Sequence, residues 1–484
     1  MIRSLLSCAI LSLSAFSHAE ERAPVDASGE IQALTQLTSL QQASAQPALN
    51  TPKVESFRTK AGTPVLFVAA SDLPIVDVRL TFDAGSARDS SIRPQLYGLA
   101  SLTARLLDEG TSTQSTDDIA AQFEALGVQY SAAAYRDMFT IDLRTLAAPH
   151  LFTPAVDQLL ALLKDAQFPQ SSIDRVFQNA AIGQRQREES PSSVASIRFW
   201  RELYGTHPYA EPSSGTQASL KQITRDDLLA FKSKFLVARN LNIAITGQLT
   251  LKQAKALAEQ LTQALPKGEP APALPTPTLS TEARLVHIPF QSSQTHIMIG
   301  QLAIERNNPD LPTLSVGNEI LGGGDFNALL MKELREKRGL TYGAYSGFSA
   351  MRSLGPFSIS YSTRADQARH SIDVTQQTLA NFLQQGVNDA TVQEAKEGIL
   401  NSYPQSLASN QSINGFLAMM GFYGLPTSYL ADYPKQIEQV TAAAIQRAFA
   451  QYVHPDKMLT VVVGQPLEQP PTVTTVTAAP ITTP

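Results

Sequence analysis

The 484-residue chain has one cysteine, Cys8, and seven histidines. Beyond residue 19 no cysteine remains, which excludes disulfides and thiolate chemistry from the rest of the chain. The six later histidines, His150, His207, His287, His296, His370 and His454, include no pair three or four residues apart. That spacing is what sets two imidazoles on one helix face, so no helical histidine metal site is spelled out. His287 and His296, nine apart in one apolar stretch, fall on opposite faces of a continuous strand. A Gly-x-Ser-x-Gly nucleophile elbow is also absent. Basic runs are missing and the formal net charge is −5, which gives nucleic-acid binding no support. After the N-terminus no stretch approaches the ~20 apolar residues of a membrane helix, so no membrane span is expected.

What is present begins with MIRSLLSCAILSLSAFSHA: a lone Arg3, an apolar run from Leu5 to Phe16 and a small-residue site at Ser17-His18-Ala19. This reads as a signal peptide over 1–19, implying export, in a bacterium to the periplasm. Only two leucines precede the serine before Cys8, too short a run for a lipoprotein signal. Residues 20–52 form a polar extension, and the Thr/Pro-rich tail 467–484 reads as disordered. A Pro-rich linker at 266–280 favours an extended spacer and separates two halves, 53–265 and 281–466.

The halves read as repeats. Ile223-Thr224, Leu228, Phe235 and Gly247-Gln248 recur 217 residues later as Val440-Thr441, Ile445, Tyr452 and Gly464-Gln465. In both places a helical stretch leads into an apolar strand, LNIAIT or MLTVVV, that stops at glycine. Val76, Val78, Leu80 and Phe82 alternate with polar residues, the signature of a strand with one buried face. Phe357, Ile359 and Tyr361 alternate with serines in the same way after a turn at 353–356. Residues around 98–107 and within 154–188 read as helices. The expected fold is α+β: two tandem homologous α/β sandwich domains, each a sheet with helices on one face.

Three stretches carry more than a fold. Gly98–Thr111 reads GLASLTARLLDEGT; residues 204–231 read YGTHPYAEPSSGTQASLKQITRDDLLAF; and 321–348 read LGGGDFNALLMKELREKRGLTYGAYSGF. In this order they resemble the pitrilysin/insulinase family of zinc peptidases, of the processing-peptidase type, over roughly 53–466. Within the frame of the first stretch the family carries an inverted His-x-x-Glu-His motif. Two imidazoles one helical turn apart grip the zinc, and the acid between them activates its water. Here those positions are Ser101, Ala104 and Arg105. The resemblance places the family's last ligand, a Glu, near 181–183, where the window VFQNAAIGQRQR holds no acid. His207, though in a shared motif, is expected to be a structural hydrogen-bonding residue. No metal or other cofactor is expected on this chain, and alone it should not cut peptides.

The third stretch keeps its chemistry. Gly322, Gly323 and Gly324 break one helix, Asp325 or Asn327 can cap the next, Leu330 and Leu334 give it a buried stripe, and Gly339 suits its left-handed cap. Glu333 and Lys337 form an i,i+4 pair. Arg335 and Tyr342, seven apart, match positions that active family assemblies use. In isolation, Arg335 would complement the helix's negative end and Tyr342 would fill a face of the strand expected at 341–349. The resemblance implies instead that both donate to the substrate carbonyl, as oxyanion-stabilising groups. It implies a clamshell chamber for unfolded peptides, with the Gly322–Gly324 turn and an edge strand around 131–140, through Ala133 and Tyr135, in substrate binding. The function expected is a non-catalytic subunit of a periplasmic heterodimeric zinc peptidase, its zinc coming from a motif-bearing homologous subunit. The alternative is a structural or peptide-binding pseudo-peptidase that contributes nothing to catalysis.

Overall fold

Two sets of strands with the same spatial order organise the chain. The computed structural model describes residues 51–324, 326–467 and the strand Thr475–Thr477. The signal peptide expected at 1–19, all but the last two residues of the extension expected at 20–52, Asp325 and the rest of the tail lie outside the described residues. The first half supplies β1 (Glu55–Arg58), β2 (Pro64–Ala69), β3 (Ile75–Phe82), β4 (Gln129–Ala134), β5 (Phe139–Leu146) and β6 (Leu241–Gly247), in the order β1-β2-β6-β3-β5-β4. The second supplies β7 (Arg284–Pro289), β8 (Gln294–Ile304), β9 (Ala344–Phe348), β10 (Gly355–Arg364) and β11 (Leu459–Gly464). With β12 (Thr475–Thr477) their order is β12-β7-β11-β8-β10-β9. β6 returns parallel to β2 and β11 parallel to β7, β12 also pairs with β7 in parallel, and the other neighbouring strands run antiparallel. Thr224 and Thr441 cap equivalent helices, Arg225–Phe235 and Ala442–Tyr452, just ahead of β6 and β11. The repeat seen in sequence is thus a repeat in topology.

Five helices matter for the site: α1 (Leu99–Leu106), α2 (Gln170–Glu188), α3 (Pro191–Tyr204), α4 (Leu311–Asn318) and α5 (Asn410–Tyr423). One expectation needs correction here. In β3 the apolar residues Val76, Val78, Leu80 and Phe82 are at most 1% exposed, but Asp77 and Thr81 on the other face are also buried, at 4% and 1%. The covering element comes from the distant half: α5 crosses β2, β3 and β6. Its Ile413, Leu417 and Met420 pack with Leu66, Val68 and Ala244. The exchange is mutual, because α3 of the first half lies on β8 and β11, where Val194, Ala195 and Phe199 meet Val286, Ile288, Val461 and Val463. Full burial of a side chain such as Phe199 or Leu417 stabilises by about 1.5–3 kcal/mol. Each sheet is therefore covered on both faces, one by its own helices and one by a helix of its counterpart. Asp77 tolerates this cover because Arg144 donates to it from the neighbouring strand at 2.8 Å.

The tail departs from the disordered reading at one point, since β12 pairs in parallel with Leu285–His287. Its Thr-Val-Thr backbone satisfies an edge of β7 that would otherwise stay open. His287 and His296 lie on separate strands, β7 and β8, on either side of β11, rather than on one continuous strand. Nor is the 266–280 linker a free spacer. The Ala238 and Arg239 amides donate to Pro266 and Lys267, and that of Ala271 to Asn240. His207 Nε2 donates to the Pro275 carbonyl at 2.9 Å, while its Nδ1 accepts from the Tyr209 amide. His207 holds the linker down, and burial pushes its pKa below the ordinary imidazole value.

The halves also meet at a buried carboxyl group. Asp137 sits in the β4–β5 hairpin and accepts from the Tyr209 hydroxyl, the Arg352 amide at 2.8 Å and the Tyr423 hydroxyl at 3.1 Å. Arg352 and Tyr423 belong to the second half. Beside this junction the guanidinium of Arg136 stacks 3.6 Å over the ring of Trp200, and burial lowers its pKa to about 10.

Candidate functional site

The face that the resemblance assigns to a lost zinc site is built on α1. This helix begins at Gly98, whose φ of +94° is unfavourable for any residue with a Cβ. A Cβ there would stand 2.9 Å from the Gly215 Cα, and one on Gly215 would stand 2.3 Å from the Tyr97 carbonyl. The glycines of two separate motifs thus back onto each other, which fixes where α1 starts. Its first amides are satisfied by Asp89, whose carboxyl accepts from Gly98 at 2.7 Å and Ala100 at 2.9 Å. Burial drives the Asp89 pKa up to about 8 against the opposing pull of those amides.

On α1, Ser101 and Arg105 are one turn apart and face outward, half-buried and exposed respectively; Ala104 turns inward at 3% exposure. The facing helix is α2. In the 181–183 window where the resemblance puts the last ligand, the Arg187 guanidinium folds back over Gly183, Nη1 3.7 Å from where a Cβ would be. Arg187 Nε donates to Gln184 at 3.4 Å, while Gln184 is held by the carbonyls of Ser214 and Gly215. Burial, and then the charge of Arg105, depress the Arg187 pKa. A hydroxyl, a methyl and two guanidiniums do not fit a zinc ion: they offer no anionic or imidazole donor, and their charge repels a cation. Among the described residues, no group of three His, Cys, Asp or Glu is placed to hold a metal.

In the second half α4 runs on into a π-helical turn, Glu319–Gly323. Gly322 is crowded by Leu330 and Ser346, Gly323 by Asn318 and Gly324 by Glu319, so packing of this turn alone requires glycine at all three. The next helical segment, Met331–Glu336, is also π-wound, where an α-helix is the sequence expectation. Leu330 and Leu334 are fully buried, Glu333 pairs with Lys337 at 2.6 Å, and Gly339 takes a φ of +60° at the helix end. Arg335 projects from this segment with its guanidinium 4.7 Å over the ring of Phe326. Tyr342 lies two residues ahead of β9, not in a strand, and is 83% exposed. It therefore fills no sheet face. Phe326 and Tyr345, at 56% and 54% exposure, join it as uncovered aromatics. The signal for them in the sequence is slight: Phe326 follows the Gly-rich turn and Tyr345 belongs to the same Tyr/Gly run.

The edge strand is β4, Gln129–Ala134, which is shorter than the 131–140 stretch because the chain turns at Arg136-Asp137 and continues as β5. The Tyr135 amide donates to the Met138 carbonyl, so ladder bonds fall at alternate residues and Ala133 directs its main chain inward at Thr140. The outward N–H and C=O groups are those of Tyr130, Ala132 and Ala134. Tyr135 follows the strand, 57% exposed.

Comparison with known proteins completes the picture. Residues 65–215 match the family description "Insulinase (Peptidase family M16)", and residues 222–399 match "Peptidase M16 inactive domain". The crystal structure of a peptidase M16 inactive domain from Pseudomonas fluorescens superimposes with a TM-score of 0.82 at 39% identity, covering 86% of this chain and 99% of that one. A Helicobacter pylori relative named non-peptidase homolog YmxG is 25% identical over 397 residues, 80% of this chain and 88% of its own. The periplasmic protease PqqL of Escherichia coli shares the fold, with a TM-score of 0.73 and 14% identity over 87% of this chain and 46% of that one.

Proposed function

The chain belongs to peptidase family M16, and from that premise we propose that it is the non-catalytic subunit of a two-chain zinc peptidase working in the periplasm. The partner, a homologous chain with an intact His-x-x-Glu-His motif, supplies the metal and the general base. This chain supplies half of a chamber for unfolded peptides, together with Arg335 and Tyr342, whose guanidinium and phenol donate to the carbonyl oxygen of the scissile bond. The observation that carries this reading is the 83% exposure of Tyr342, seven residues after an Arg335 propped on Phe326. Tyr342 stands uncovered where packing has no use for it, and Arg335 is half-buried over the Phe326 ring. The donor-poor α1 face supports the division of labour, and the name of the Helicobacter pylori relative supports the absence of peptidase activity in the chain by itself.

The test mixes the purified chain with a motif-bearing homologue from the same host and follows cleavage of a quenched-fluorescent peptide. The chain alone is inactive and the mixture active. R335A and Y342F each lower the rate of the mixture by about 10²–10³, the usual loss for one oxyanion donor. A mixture that cleaves at full rate with both variants would leave a structural or peptide-binding pseudo-peptidase as the reading.

A further inference from the structure

We infer that the second half carries a binding slot for a single aliphatic chain with one uncharged hydrogen-bonding group, such as a medium-chain alcohol, ester or amide. The slot, about 460 Å³, lies between the helix Ala368–Gln385 and the helix-covered face of the second sheet. Its walls are aliphatic: Leu285, Ile299, Ile359, Ile372, Leu379 and Met458. Among the described residues no aromatic ring lines it, so it offers a flat ligand nothing to stack on and suits an alkyl chain. The duplication explains why the slot exists. In the first half β6 is followed by the helix Leu251–Gln263, which packs on β2 and brings Leu257 and Leu261 into one core with Val65, Leu80, Ile141 and Ile243. The strand pairings make Leu285, Ile299, Ile359 and Thr460 the counterparts of those last four residues. No helix follows β11 among the described residues, so no such leucines reach the second floor. The clasp has gone as well. The Ala238 and Arg239 amides hold Pro266 and Lys267, just past the first-half helix, but the counterpart of Ala238 at the repeat offset is Pro455, which lines the slot and has no N–H to donate.

Two buried hydroxyls line this slot. That of Thr375 donates to the Ser371 carbonyl at 2.8 Å. That of Thr460, on a residue 5% exposed, has no partner among the described residues, and it stands where the first half places Ile243. A buried hydroxyl without a partner is costly, and an oxygen or amide on the ligand supplies one. The ligand group is uncharged, because a charge carried down to Thr460 would be stripped of water between aliphatic walls. At the rim Arg369 is already paired with Asp373 and Arg284 with Glu202, each at 3.1 Å, while Asp456 repels an anionic head. This inference requires neither Arg335, Tyr342 nor a partner chain.

The test titrates the purified chain with n-alkan-1-ols from butanol to nonanol and reads binding by calorimetry. Affinity should rise roughly fourfold per added methylene until the slot is full, and then level off. The carboxylate and the ammonium of the same chain length should each bind about tenfold more weakly than the alcohol. A380F, at a half-buried position lining the slot, should block it and abolish binding. T460I, which installs the isoleucine of the first half, should weaken binding about tenfold, and urea midpoints close to the parent's show that the variants fold. Affinity that ignores chain length, charged homologues that bind as tightly as the alcohol, or binding that survives undiminished in T460I overturns the inference.

Discussion

Replacing Asp137 by alanine should loosen the junction between the halves more than any other single change in the hairpin. Three donors converge on its carboxyl group, and two of them, the Arg352 amide and the Tyr423 hydroxyl, come from across the seam. The third, the Tyr209 hydroxyl, belongs to a side chain with no exposed surface. A buried donor left without a partner costs about 1–3 kcal/mol. Partial relaxation and overlap among three such groups bring the expected loss for D137A to about 3–5 kcal/mol. D137N keeps the shape and one acceptor oxygen, and should lose about 1–2 kcal/mol. The assay is built into the molecule: Trp200, the only tryptophan, lies against Arg136 at this seam, so its fluorescence during urea unfolding reports the junction. In a double-mutant cycle with Y423F, coupling of at least about 1 kcal/mol is expected. A D137A protein within 1 kcal/mol of the parent, or strictly additive variants, would refute the role given to this carboxyl.

Two further outcomes follow from buried groups. Folded Asp89 keeps its proton up to about pH 8, whereas the unfolded chain releases it near 3.8, so the folded state binds the extra proton between those values. Its contribution to stability must then fall as pH rises from about 4 to about 8; the stability difference between the parent and D89N, followed from pH 5 to 9, should show that slope, and a flat difference would contradict it. At Gly300 an added methyl would stand 2.2 Å from the Phe357 carbonyl and 2.8 Å from the Phe199 ring, so G300A should destabilise by about 1–3 kcal/mol. An unchanged urea midpoint for G300A would mean that α3 does not press on β8 as described.

Local chemistry was legible in the sequence, and cover from afar was not. The alternation in β3 identified the strand and its core face. Nothing near residue 77 could signal that α5, more than 300 residues later, buries the opposite face. The repeat was readable because each copy spells its own cap, helix and glycine-ended strand. The edge strand ends before the turn at Asp137, a turn-favouring residue that falls inside the 131–140 stretch expected from sequence. The π-wound turn at 331–336 escaped because leucines four apart serve an α-helix and a wider winding equally well. At the degenerate face the missing ligands were visible as absences. Arg187 lies in the same acid-free window, and its fold back over Gly183 is a feature of the folded helix that the sequence does not spell out.

The exchange of α3 and α5 leaves the fold independent of any metal at the α1 face. In proteins where a metal ion clamps the chain together, ligand loss is an unfolding mutation and is purged as such. Here the first sheet is closed by a helix from the second half, and its stability does not depend on what Ser101 or Arg105 can ligate. The same arrangement forbids another route of divergence. A gene split at the linker would yield two products, each with an apolar sheet face left bare, so the duplicated halves are bound to evolve within one polypeptide even as their chemistry drifts apart.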